Sequence, residues 1–195
     1  MDRTVRLFIA IDLPLPVKQV LRSTQARLGP QLRGVRWIDP AGAHLTLKFL
    51  GDTPIDQVDA IAAELARAVA GLRPFRLRTG APGAFPSARR PRVLWLGVAG
   101  NLAALQVTHA AVERAIGPLG FPADDRPFNP HLTLGRVSRD AGPAELERIG
   151  HVLAATNVPP AVEFAVETVL LMRSELSRAG ARYSEIARAQ LDVRG

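Results

Sequence analysis

The tetrapeptide His44-Leu45-Thr46-Leu47 recurs, residue for residue, as His131-Leu132-Thr133-Leu134. On an extended strand, residues i and i+2 share a face. Each copy therefore points a histidine and a threonine one way and two leucines the other. The leucines belong in a core and the polar pair at a cleft. The alternation predicts strands over His44–Leu50, closed by Gly51-Asp52, and over His131–Val137.

The repeat extends well beyond the tetrapeptide. Displacing the chain by 87 residues lays His44 on His131, Val5–Asp12 on Arg92–Ala99, and the helical pattern from Pro14 on that from Asn101. Between these run other predicted elements: a helix from Pro14 to Leu28, a short extended piece at Val35-Arg36-Trp37, and a helix opened by Thr53-Pro54 and stopped at Gly71. A strand over Phe75–Arg78 leads into a Gly/Pro/Arg loop over Gly80–Pro91. A strand over Arg92–Val98 precedes a helix capped by Asn101 that ends at Ile116. After His131–Val137 come a helix over Pro143–Ala155, a strand over Val162–Leu171 and a strand over Arg182–Ala189. A repeat this long is no solenoid unit. It predicts two related lobes facing each other, so that matched residues of the two halves meet in one cleft.

Composition narrows the chemistry. The chain has 195 residues, 47% of them hydrophobic, enough for a packed core in one domain. It has no cysteine, which removes disulfides, thiolate nucleophiles and Cys-bearing zinc sites. Met1-Asp2-Arg3-Thr4 does not read as a signal peptide, and the uncharged stretch Val93–Val112 is interrupted by Gly97, Gly100, Asn101, Gln106 and His109. The expectation is a cytoplasmic protein, not inserted in a membrane. The net charge of +7 favours anionic partners, although the basic residues are almost all arginine, a bias that genomic composition alone also produces.

Two histidines and two threonines around one cleft suit phosphoryl transfer. Opening a cyclic phosphodiester needs a base for the attacking water and an acid for the departing sugar oxygen, and imidazole serves either role near neutral pH. Threonine hydroxyls can donate to the nonbridging oxygens. Two alternatives stand beside this: buried strand histidines held by hydrogen bonds, and a metal site. The latter is poor, because no matched third ligand or carboxylate set accompanies the pair; Arg139 takes the place of Asp52 in the second half. His109 and His151 lie in predicted helices and read as surface or packing residues, and Trp37 and Trp95 as packing.

These motifs, with Arg6-Leu7-Phe8-Ile9-Ala10-Ile11-Asp12-Leu13-Pro14, Lys48-Phe49-Leu50-Gly51, Arg92-Val93-Leu94-Trp95-Leu96-Gly97, Pro130, Gly135-Arg136 and Gly180-Ala181-Arg182-Tyr183, resemble the 2H phosphoesterase superfamily, and within it the RNA 2′,3′-cyclic phosphodiesterases, also called 2′-5′ RNA ligases. The resemblance implies an α+β fold of two pseudo-symmetric lobes. Each would be an antiparallel sheet flanked by helices, and together they would form a single domain over 1–195. It implies metal-independent, cofactor-free hydrolysis of RNA 2′,3′-cyclic phosphate ends to 2′-phosphomonoesters, with reverse 2′-5′ ligation at the same centre, by a monomer acting on RNA. It makes His44 the acid and His131 the base, an order that the duplicated residues do not themselves fix. It makes Arg136 a phosphate contact, although five residues from His131 an ideal strand would turn it to the opposite face unless a bulge near Gly135 intervenes.

Further substrate-binding candidates are Thr46, Thr133, Phe8 and Tyr183, the two aromatics as stacking partners for base or ribose; Phe8, in an apolar strand, also fits the core. Lys48 shares the face of His44 by parity, and Arg89, Arg90 and Arg92 could meet RNA phosphates. Two other functions stay open: an RNA- or nucleotide-binding module of the same fold without turnover, and a phosphodiesterase for a small cyclic nucleotide.

Overall fold

The computed structural model describes residues 4–156, 160–177 and 180–192. The opening Met1-Asp2-Arg3 lies outside them. In chain order the elements are β1 (Thr4–Asp12), α1 (Leu15–Leu28), β2 (Val35–Trp37), β3 (His44–Pro54), α2 (Val58–Val69), β4 (Phe75–Phe85), β5 (Val93–Gly100), α3 (Leu102–Ile116), β6 (His131–Val137), α4 (Pro143–Ala155), β7 (Glu163–Val166), β8 (Thr168–Ser177) and β9 (Gly180–Gln190). They form two antiparallel sheets, a four-stranded one in the order β3-β1-β8-β9 and a five-stranded one in the order β2-β6-β5-β4-β7. The fold is thus α+β with two sheets and helices against them, as expected.

The helices form where apolar spacing and capping agree. In α1, Val17, Leu21 and Leu28 are fully buried. Asn101 caps α3 by accepting from the Ala104 N–H, and Ile61, Leu65 and Val69 bury one stripe of α2. Leu45, Leu132 and Leu134 are fully buried and Leu47 nearly so, as the alternation required. Each such leucine contributes about 1.5–3 kcal/mol of burial.

The halves are not separate bodies. β4, from the first half, pairs with β5 of the second, while β8, from the second, pairs with β1 of the first. Each sheet therefore draws strands from both halves. Three sequence expectations change here. The predicted strand over Val162–Leu171 is two strands, β7 and β8, in different sheets, and the chain changes sheet at Glu167. The predicted loop over Gly80–Pro91 is strand as far as Phe85. β7 pairs only with Phe75–Arg78, so beyond Thr79 one edge of β4 is open and Pro82, lacking an N–H, is tolerated there. Gly51-Asp52 does not close β3: Gly51, at φ 73°, comes after a bulge and the strand continues through Thr53 to Pro54, so α2 starts only at Val58.

Bulges also decide which way the site residues point. In β1/β3, Ile9 is opposite Lys48 and Ala10 opposite Thr46, leaving Leu47 as the extra residue. In β5/β6, Leu94 is opposite Gly135 and Trp95 opposite Thr133, leaving Leu134 extra. The two bulges fall at matched positions of the repeat. Each inverts the parity of the strand residues beyond it.

Candidate active site

β3 and β6 are edge-proximal strands of different sheets, and they approach each other within 8 Å between Cα atoms. The link between them is short. β2 lies against the later part of β6, the Ile38 N–H donates to the Leu134 carbonyl, and a single turn at Pro40–Gly42 then carries the chain to His44 at the start of β3. Gln25 of α1 clamps this junction, donating to the carbonyls of both Ile38 and Leu134.

The two histidines are held alike. His44 Nδ1 is 2.9 Å from the Gly42 carbonyl, and His131 Nδ1 is 2.8 Å from the Asn129 carbonyl. A carbonyl only accepts, so each Nδ1 carries the proton and Nε2 is the nitrogen left for chemistry. Each imidazole is also bracketed by two aromatic rings. His44 lies 4.5 Å from Phe8 and edge-on to Tyr183 at 5.0 Å; His131 lies edge-on to Phe85 at 4.9 Å and 6.5 Å from Trp95. Burial against these rings lowers both pKa values from the ordinary 6.5.

The neighbouring charges differ. Asp12 stands opposite His44 in the β1/β3 ladder, paired with Lys18 at 2.9 Å. Asp12 opposes the lowering at His44, and Lys18 acts the other way more weakly. The residue opposite His131 is Gly97, and the nearby charge is Arg136, which adds to the lowering there.

Thr46 and Thr133 are half-buried on the histidine faces, and among the described residues neither hydroxyl has a hydrogen-bond partner. Arg136 is exposed. It pairs with Val93, two residues from Trp95 on the same side of β5, so the Leu134 bulge returns Arg136 to the face of His131. Phe8 is 2% exposed beneath the His44 ring, and Tyr183 walls a pocket of about 90 Å³ with Ala10, Asp12, Gly42, Leu170 and Met172.

Lys48 is a correction. The Leu47 bulge turns it away from His44 and into the protein, where its ammonium is 2.6 Å from a Glu113 carboxylate oxygen and 2.8 Å from the Pro122 carbonyl. His109, read as an ordinary residue, belongs to that network: it is 3.6 Å from Glu113 and stacks on Phe128 at 4.0 Å. His151 is exposed, and the Arg92 guanidinium donates to the Ser138 carbonyl.

Sequence reasoning missed Phe85 and the larger role of Trp95. The signal was Gly83: a Cβ there would sit 2.2 Å from the Trp95 ring, so the strand leaves room for the indole that supports His131. Among the described residues no group of three or more His, Cys, Asp or Glu is placed to hold a metal, and no helix is long and apolar enough to cross a membrane.

Comparison with known proteins agrees with the two-sheet fold. The chain is 35% identical to an RNA 2′,3′-cyclic phosphodiesterase of Thermus thermophilus over 96% of its own length and 90% of that protein. It is 30% identical to the protein of that name from Methanothermobacter thermautotrophicus over 93% and 96%. With that from Geobacillus stearothermophilus it shares 31% over 92% of this chain, which spans 55% of the relative. Among solved structures it superposes on TT0787 of Thermus thermophilus (TM-score 0.76, 30% identity, 95% and 97% of the two chains) and on E. coli LigT complexed with 3′-AMP (0.74, 27%, 97% and 99%). The family model of the 2′-5′ RNA ligase superfamily matches residues 16–178, and the chain belongs to that family.

Proposed function

We propose that the protein opens RNA 2′,3′-cyclic phosphate ends to 2′-phosphomonoesters, that it does so without metal, and that a single domain built by duplication carries the site. The observation behind this is the matched Nδ1–carbonyl bond at His44 and His131, which leaves two Nε2 atoms as acid and base. The names of the relatives support the substrate.

His131 takes a proton from water as it attacks phosphorus, and His44 gives one to the departing O3′. The charges support this order. Asp12 favours the protonated state that an acid needs, and Arg136 the neutral state that a base needs. Thr46, Thr133 and Arg136 meet the nonbridging oxygens, whose charge the transition state spreads. Together these groups supply every proton transfer and charge contact the step requires. Phe8 supports the His44 ring from below, and Tyr183 stacks on the terminal base or ribose in the pocket beside it.

The test is incubation with RNA ending in 2′,3′-cyclic phosphate, with EDTA present. The expected product is the 2′-phosphate isomer. A 3′-phosphate product, loss of activity on chelation, or tight binding without turnover would each overturn the proposal.

A further inference from the structure

The carbonyls that hold the two histidines are supported differently. Gly42 belongs to a closed turn: its N–H donates to the Asp39 carbonyl, the Ala43 N–H donates to the Pro40 carbonyl, and the Asp39 carboxylate accepts from the Ala41 N–H. Asn129 has no such frame. Residues 121–130 form neither helix nor strand, and among the described residues none of them makes a backbone–backbone hydrogen bond. Pro127 and Pro130 have no N–H to give. Residues 122–127 and Asn129 itself are exposed.

One side chain next to Asn129 is anchored inward. Phe128 packs against the core, and its ring lies flat on the His109 imidazole of α3, with centroids 4.0 Å apart and 8° between the planes. His109 is itself seated: its Nε2 is 3.6 Å from one Glu113 carboxylate oxygen, and Lys48 is 2.6 Å from the other. Burial lowers the His109 pKa from 6.5, against Glu113 of its own helix and with Lys48 of β3, so near neutral pH two uncharged rings are stacked. Lys48 also donates to the Pro122 carbonyl, but the exposed run 123–127 separates that point from Phe128. The carbonyl two residues back reaches Nδ1 for only one course of the chain into the strand. Pro130 fixes its own φ and biases Asn129 toward extended backbone. The direction from which the chain arrives is left to Phe128.

We propose that His109 is a positioning residue for His131: the His109–Phe128 stack sets the course of the chain into β6, holds the Asn129 carbonyl on His131 Nδ1, and so keeps Nε2 as the basic nitrogen. This role presupposes that His131 is the base, as proposed above. Without the stack, the carbonyl leaves Nδ1 part of the time. The proton then distributes over both ring nitrogens, and less of the neutral imidazole presents a basic Nε2. The Asn129 carbonyl also favours the protonated ring, against burial and the Arg136 charge, so its loss lowers the His131 pKa further.

Turnover of adenosine 2′,3′-cyclic phosphate across pH tests this, together with imidazole ¹⁵N shifts, which report the tautomer directly. His109→Ala and Phe128→Ala are each expected to lower kcat by about 10–100-fold with little change in KM. The acidic limb of kcat/KM should move to lower pH, while the alkaline limb, set by His44, stays in place. The double variant is expected to lose no more than the larger single. His109→Phe keeps a flat ring under Phe128 and is expected to restore most of kcat. Lys48→Met leaves both rings in place and is expected to lower the melting temperature without moving the acidic limb. Wild-type His131 is expected to carry its proton on Nδ1, and His109→Ala to show the proton shared between the two nitrogens. If His109→Ala does not fold, Phe128→Leu, which keeps apolar volume without the flat ring, is read in the same way. The positioning role is overturned by a wild-type His131 protonated on Nε2, by a folded His109→Ala with wild-type kcat, by single losses that multiply in the double variant, or by the same limb shift in Lys48→Met. Failure of the wild type to open the cyclic phosphate would instead refute the phosphodiesterase reading, while the ring shifts would still decide whether the stack holds the Asn129 bond.

Discussion

Lys48→Met separates stability from chemistry at a residue that follows the proposed catalytic motif His44-Leu45-Thr46-Leu47. The Lys48 side chain is 4% exposed and its ammonium sits 2.6 Å from Glu113, itself 15% exposed. Removing one member of such a pair leaves a charge buried without its partner, at a cost of about 3–5 kcal/mol. Against a total stability of about 5–15 kcal/mol, that is a large share. At about 2–4 °C per kcal/mol for a chain of this size, the melting temperature should fall by about 6–20 °C.

The double variant Lys48→Met/Glu113→Leu removes both charges. It should lose less than Lys48→Met alone, because an apolar pair carries no desolvation cost. Urea unfolding of the wild type, the single variants and the double gives the coupling. His109 adds a pH signature. Its pKa is lowered by burial and, more weakly, by Lys48, while Glu113 pulls the other way. Without Lys48, proton uptake by His109 restores a cation beside Glu113. Loss of Lys48 raises the folded pKa of His109 relative to the wild type, whose value burial holds below 6.5; the gain is full below the wild-type folded value and is lost as pH rises through the variant's, so the deficit of Lys48→Met should shrink as the solution is acidified from about pH 8 toward and below about pH 6. A single-variant loss under about 1 kcal/mol, or strictly additive singles, would refute the buried-pair reasoning. A folded Lys48→Met with turnover reduced as far as in a histidine variant would instead return Lys48 to the catalytic face.

His44→Ala and His131→Ala should each lower kcat by about 10²–10⁴-fold with the fold intact, read by single-turnover kinetics and melting temperature. The kcat/KM profile should be bell-shaped and centred below the ordinary imidazole value of 6.5, since burial lowers both groups. Asp12→Asn removes a charge that favours protonated His44 and should move the alkaline limb to lower pH, whereas Arg136→Gln should move the acidic limb to higher pH; if Asp12→Asn moved the acidic limb instead and Arg136→Gln the alkaline one, the assigned roles would be reversed. Gly83→Ala drives a methyl into the Trp95 ring and should cost about 1–3 kcal/mol together with a change in tryptophan fluorescence and a fall in kcat.

The catalytic candidates were legible because strand alternation and the repeat gave the same answer: His44 and Thr46 share one face, Leu45 and Leu47 the buried one, and the second copy repeats it. β6 and α4 have the predicted limits for the same reason, a clean pattern ended by turn residues. Lys48 was misplaced because parity counting assumes an unbroken ladder, and the bulge at Leu47 depends on what β1 presents across from it. The same kind of bulge at Leu134 settles the awkward parity of Arg136. The stretch Gly80–Phe85 read as loop because Gly and Pro are turn residues. Its strand character comes from pairing with β5, and Gly83 is required by a ring twelve residues away in sequence. The change of sheet at Glu167 is a tertiary event, with apolar alternation on both sides and no local mark.

The interleaving of the two halves bears on how the protein is made. β1 and β3 leave the ribosome early, yet their sheet gains its other two strands only when residues 168–190 are synthesised. Nascent chains released before that point lack half of the platform beneath His44. A truncated translation product should therefore be inert and a target for proteolysis, and two separately expressed halves should recover activity only by exchanging β4 and β8 on association.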